Sequence, residues 1–199
     1  MKKGRICIAL GLLLLAAALF LTGYNLLEGS RAQRSAAAAV QALEQKLPEA
    51  VPELPQWQQY PELELPVVTV EGLDYVGLLE LPALGLELPV LDRWSYPALR
   101  QAPCRYQGTA YRSGFVIAGH NYPAHFGPLR NLRPGDDVYF TDMDSNRFAY
   151  QVAAVEVLPP TAVEEMTDED WELTLFTCTP GGQSRVAVRC LRAGEYYGA

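Results

Sequence analysis

Two hydrophobic patterns divide the chain. From Ile6 to about Leu27 there is an unbroken apolar run without a charge, behind a basic head of Lys2, Lys3 and Arg5. About 20 such residues suffice, as a helix, to cross a hydrocarbon core of roughly 30 Å. The run is longer than the usual signal-peptide core of about 7–15 residues. No small-x-small site followed by a mature-looking start is obvious after it, so an uncleaved anchor is favoured over a cleaved signal. Either reading exports the remainder, and the positive head keeps the N-terminus in the cytoplasm. Next, "SRAQRSAAAAVQALEQKL" is rich in helix formers and predicts a juxtamembrane helix ended by Pro48. "PEAVPELPQWQQYPELELP" carries five prolines and suits a stiff, extended spacer.

From Val67 the pattern becomes short β-type runs punctuated by Gly and Pro, among them "GFVIAGH", "DDVYFTD", "RFAYQVAAVEVL", "LTLFTC" and "RVAVRC". Seven or eight short strands of this kind predict an all-β barrel or sandwich. Short helices are expected near "SYPALRQA" and "AVEEMTDED". Three segments follow: an anchor over 1–30, a juxtamembrane helix and spacer over 31–66, and a β domain over 67–199.

Charge narrows the partners. Lys2, Lys3, Arg5 and Glu28 lie in the first 30 residues, which leaves 13 basic against 22 acidic residues in the exported part. A net of about −9 argues against nucleic acid and against a polybasic membrane patch. Cys7 falls in the anchor, and the exported cysteines are Cys104, Cys178 and Cys190. Three is an odd number, so at least one thiol stays unpaired in an oxidising compartment. No CxxC or Cys/His cluster has zinc-ligand spacing.

The chemistry converges on two strand ends. Cys178 closes "TLFTC", and Arg185 opens the next strand one short turn later. His120 follows the apolar strand "VIAG", so it too stands where a strand meets a loop. An imidazole beside a cysteine favours the nucleophilic thiolate and can protonate a leaving amine. A guanidinium near the thiol can donate hydrogen bonds to an oxyanion. The competing reading is structural: a small buried thiol, a turn histidine and a solvated arginine. His125, in a loop after Pro123, suggests no partner.

The "TLFTC" strand followed by Arg185, together with "VIAGHNY" and "FGPLRNLRPGDDVYF", resembles the sortases, cysteine transpeptidases of Gram-positive cell surfaces. "VGLLELPALGLELPVL" resembles that family's first two strands, and the likeness spans about residues 72–192. The resemblance implies an eight-stranded sortase-type β-barrel with short helices behind an N-terminal transmembrane helix. It also implies Cys178 as nucleophile, His120 as acid/base and Arg185 as the oxyanion- or substrate-positioning arginine. One departure is the Cys178–Arg185 turn, shorter than in pilin-type sortases. Arg189 is the rival on the same strand face, but it lies about 13 Å further from the turn. Papain-type and NlpC/P60-type hydrolases place Cys before His, the reverse of the order here.

The implied function is a membrane-anchored, single-pass enzyme with its catalytic domain outside the cell. It would cleave a sorting signal of exported proteins through a thioester and pass the acyl group to an amine of the cell wall or of a pilin subunit. The alternative is an exported β-barrel binding module with a structural Cys178. No cofactor is required; the acidic run Glu164–Glu172 is a candidate Ca²⁺ loop, with a solvated acidic face as the simpler reading. With the His120 and Cys178 strands as parallel neighbours, Cys190 is carried to the far end of the barrel, and Cys104 is expected there too. A Cys104–Cys190 disulfide then needs Cα atoms within about 7 Å; two separately buried free thiols are the alternative.

Overall fold

The computed structural model describes residues 2–48, 55–60 and 62–193. It opens with α1 (Lys2–Glu44), a single helix through both the apolar run and the Ala-rich segment. No break falls at residue 30, where the sequence suggested a division. The two halves of α1 differ in what they touch. Leu10–Leu15, Leu19–Leu21, Leu26 and Leu27 include large apolar side chains left exposed, and by length and composition this part can cross a membrane. Further on, Ala32, Ala36, Ala39, Val40 and Leu43 are buried. Their spacing of three and four keeps them on one helical face. The alanines let the helix approach closely, and its last turns pack with Tyr75, Leu78, Leu91, Cys104 and Met143 on the outside of a β-sheet.

The spacer is less extended than its prolines suggest. It contains α2 (Gln56–Gln59), and Trp57 is tucked onto the barrel, its ring stacked 5.8 Å from Tyr111 and 5.2 Å from Phe148. Residues 49–54 and 61, also read as spacer, lie outside the described residues.

Then come β1 (Val68–Val70), β2 (Leu73–Leu81), β3 (Leu86–Leu91), α3 (Tyr96–Leu99), β4 (Cys104–Gln107), β5 (Phe115–Ala118), β6 (Asp137–Asp142), β7 (Arg147–Leu158), α4 (Val163–Met166), β8 (Leu173–Cys178) and β9 (Arg185–Arg192). The sheet order is β1-β2-β3-β4-β5-β8-β9-β7-β6, and β2 also pairs with β6. That last pairing closes β2 to β9 into an eight-stranded barrel, with β1 as a short addition on β2. All-β architectures remove their exposed edges by such closure. The seam depends on Gly77, where a Cβ would lie 2.3 Å from the Thr141 carbonyl oxygen.

Alternation with period two sorts the strands into an inner and an outer face. Phe115, Ile117, Phe140, Phe148, Leu173, Leu175, Val186, Val188 and Cys190 fill the interior. Thr174, Phe176 and Cys178 of β8 pair across the ladder with Arg189, Ala187 and Arg185 of β9; these lie on the opposite face from the core residues.

Candidate active site

Register assembles the site. β5 and β8 are parallel neighbours, with Ala118 opposite Phe176. Gly119 N–H extends the pairing by donating to the Phe176 carbonyl at 3.0 Å. Two residues further on, His120 and Cys178 therefore stand level on adjacent strand ends. On the other side β9 is antiparallel to β8, and Arg185 is the direct cross-strand partner of Cys178. The three residues selected from sequence thus occupy one level of three consecutive strands.

The Cys178–Arg185 turn is tightly tied. Thr179 N–H donates to the Ser184 carbonyl at 3.0 Å, Gly182 N–H to the Thr179 carbonyl at 2.8 Å, and Ser184 N–H to Thr179 Oγ1 at 3.1 Å. Gly181 and Gly182 adopt φ of 86° and 73°, a left-handed pair that side chains with a Cβ disfavour. Arg185 folds back on this turn, its Nη1 donating to the carbonyls of Gly182 and Ser184, each at 3.0 Å. The thiol and the guanidinium therefore share one small, rigid platform.

Cys178 is half-buried, whereas Cys104 and Cys190 are fully buried. Burial pushes both of those thiols up to about 12, which removes them as nucleophiles near neutral pH. All three are free, and Cys104 is not where the sequence put it. β4 runs antiparallel to β5, so Cys104 lies opposite Ala118, towards the His120 end. Cys190 lies opposite Leu173 at the other end. Cys104 belongs to the outer cluster under α1 and Cys190 to the inner core. The two point to different faces as well as different ends, and no bridge joins them.

His120 is partly buried. Its Nδ1 donates to Asn121 Oδ1 at 3.1 Å, which leaves Nε2 as the basic nitrogen of the neutral ring. Burial chiefly, with help from the Arg100 guanidinium, holds His120 below the ordinary histidine value; the Asn121 bond opposes this. The Tyr122 ring stacks on the imidazole with centroids 4.0 Å apart and planes 9° apart. His125 is wholly buried beneath the loop. Arg189 is also buried: it bonds Glu156 at 3.0 Å, Thr174 Oγ1 at 3.1 Å and the Glu165 carbonyl. Those contacts tie the β7–β8 connection to the barrel wall, four residues from the level of Cys178.

Two surfaces border the thiol. A cavity of about 330 Å³ is lined by Asn121, Pro123, Arg130, Thr177, Cys178 and Pro180. On the outer wall an aromatic shelf begins at Phe176, whose ring meets Tyr106 edge-on at 5.3 Å; Trp94 lies 5.5 Å from Tyr106, and Tyr96 5.8 Å from Trp94. Sequence spacing gave no sign of this shelf, because its members come from β8, β4, the β3–α3 loop and the start of α3. Tyr122 was closer to view, two residues after His120, but nothing in spacing reveals a stacked ring. Among the described residues no group of three His, Cys, Asp or Glu side chains is arranged to hold a metal ion.

Comparison with known proteins agrees with this geometry. The Sortase domain family model matches residues 79–193, more than half of the chain, and the chain belongs to the sortase family. It is 26% identical over 188 residues to sortase A of Bacillus anthracis, covering 89% of each chain. Among solved structures it is similar to sortase C from Clostridium perfringens, with a TM-score of 0.53 and 25% identity over 61% of this chain and 71% of that one. A sortase D5 transpeptidase of the same species shares the fold, with a TM-score of 0.58 at 19% identity over 83% of this chain and 99% of that one. Members of the family are cysteine transpeptidases of the cell surface.

Proposed function

We propose that the protein is a membrane-anchored cysteine transpeptidase in which Cys178, His120 and Arg185 carry the reaction. The observation that supports this most directly is the backbone register that brings His120, Cys178 and Arg185 to one level at the ends of β5, β8 and β9. Cys178 Sγ attacks the scissile carbonyl of a sorting signal in an exported protein as its proton passes to neutral His120. The C–N bond breaks as protonated His120 gives its proton to the leaving amine, and a thioester remains on Cys178. An amine of a cell-wall precursor or a pilin-like subunit then attacks the thioester and yields its proton to His120. The new amide departs and the thiol is restored. Arg185 donates to the oxyanion formed in each half-reaction. The aromatic shelf that starts at Phe176 offers apolar contact to the acyl side of the peptide. One solved relative, a Clostridium perfringens sortase C, holds the C-terminal cell wall sorting motif, and a peptide of that kind is the substrate class inferred here.

The exposed apolar half of α1 and the basic head before it fit a single crossing, with residues 1–30 as anchor, 31–66 as connection and 67–199 outside the cell. No metal enters the chemistry, so chelator should leave turnover unchanged; a rate lost in EDTA and restored by Ca²⁺ would assign the Glu164–Glu172 run to a cation. The decisive experiment uses the full chain in detergent with a panel of Leu-Pro-x-Thr-Gly-like peptides, with and without an added amine. Mass spectrometry should find a thioester at Cys178 and an amine-dependent ligation product. Hydrolysis unaffected by amine would make the protein a peptidase, and slow alkylation of Cys178 with no product would leave a binding module.

A further inference from the structure

The histidine loop contains a stack that the reaction above does not use. Tyr122 meets two imidazoles, its ring 4.0 Å from that of His120 and nearly parallel to it, and 5.6 Å from that of His125 at 56°. The loop is closed around it. Its carbonyl accepts from His125 N–H and Gly127 N–H, each at 3.0 Å, and Phe126 N–H donates to the His120 carbonyl at 3.1 Å. His125 is 0% exposed, and its ring nitrogens make no well-formed hydrogen bond, the backbone of Ala32 in α1 being only a weak partner. A polar ring is costly in that position, and here it serves as a wedge against which Tyr122 rests. Helix α1 completes the far side. Ala32, 2% exposed, lies in the buried helix face, and its backbone reaches the electrostatic surroundings of His125. Burial chiefly, then the Glu28 carboxylate of α1, pushes the Tyr122 hydroxyl above the ordinary tyrosine value, with Arg100 opposing.

We infer that Tyr122 is a positioning residue: backed by the His125 wedge, its ring fixes the plane in which His120 presents Nε2 towards Cys178. This rests on His120 acting as acid/base. A planar ring against an imidazole face restricts rotation about χ2, which a hydrogen bond at Nδ1 alone leaves partly free. Reacting groups misplaced by about 1 Å can cost on the order of 100-fold in rate, so the stack acts on turnover and leaves peptide affinity alone.

The chain has two histidines, so ¹³C-histidine labelling of the full chain in detergent gives two ring signals, assigned by His125→Phe. Tyr122→Leu should remove the ring-current shift of the His120 signal. It should also lower kcat by roughly 10–100-fold with KM for the peptide little changed. Tyr122→Phe keeps the ring and should restore both the shift and most of the turnover. An unshifted His120 signal in wild type, or a Leu variant that loses the shift and keeps its kcat, overturns the inference. So does a Phe variant as poor as Leu. The underlying reading fails separately: His120→Ala would then turn over peptide as wild type does.

Discussion

Arg185 and Arg189 stand on the same face of β9, and their surroundings give them different work. Arg185 sits opposite Cys178 and bonds only the carbonyls of its own turn among the described residues. Arg185→Ala should therefore lose about 100–1,000-fold in turnover while the thermal unfolding midpoint stays near that of wild type. Arg189 is 2% exposed and paired with Glu156. Its replacement by Ala should cost about 3 kcal/mol of stability, the low end for breaking a buried pair because Glu156 is partly solvated. At a temperature where both variants are folded, Arg189→Ala should be the faster enzyme; the reverse order would exchange their roles. Cys178→Ala should abolish turnover, since the other barrel thiols are buried. His125 makes a further prediction. Burial pushes it down to about 4 from 6.5, so between those values the unfolded chain binds the proton and the folded chain does not. Stability is unaffected above about pH 6.5 and falls with pH below it, by about 3 kcal/mol near pH 4. Unfolding of wild type and His125→Phe, compared at pH 7.5 and 4.5, should show the smaller acid loss in the variant; equal losses would refute the shift. Cys178 and Arg185 were legible in the sequence because a thiol and a guanidinium flank one short turn. His125 and Tyr122 were not, since spacing shows neither how deeply a loop side chain is buried nor which rings stack.

At the scale of elements, the short β-type runs between Gly and Pro marked the strands, and "SYPALRQA" and "AVEEMTDED" marked the short helices at Tyr96–Leu99 and Val163–Met166. It did not reveal which way β4 runs beside β5, and that direction alone misplaced Cys104. Nor did the prolines disclose that Trp57 would dock on the barrel, because an aromatic in a spacer carries no mark of its partner. Two contacts between elements invite tests. Gly77→Ala should destabilise by about 3 kcal/mol or more, because a Cβ there meets the backbone of β6 and overpacking has no flexible atom to displace. On α1, Ala36→Trp should free the helix from the barrel while exposed Ala37→Trp should not. Limited proteolysis near Gln45 would report it, with faster cutting in the first variant; indistinguishable cutting would mean the buried stripe does not hold the helix.

For the whole molecule, barrel closure settles the redox question that cysteine counting left open. Cys104 and Cys190 occupy different faces and ends of one closed sheet, so oxidising surroundings cannot join them without dismantling it. After unfolding without reductant, all three barrel thiols should titrate; the loss of two would contradict the strand register. The unbroken helix has a mechanical consequence. The buried face of α1 begins at Ala32, and five residues of helix from Leu27 to Ala32 rise only about 7.5 Å. With the proposed topology the helix is a short mast. On that topology the barrel could turn around the bilayer normal but not change altitude, and the thiol would work in a thin layer near the lipid headgroups. Substrates that leave the translocation machinery still rooted in the bilayer would pass through that layer by default, and a signal carried far out on a stalk would never reach it.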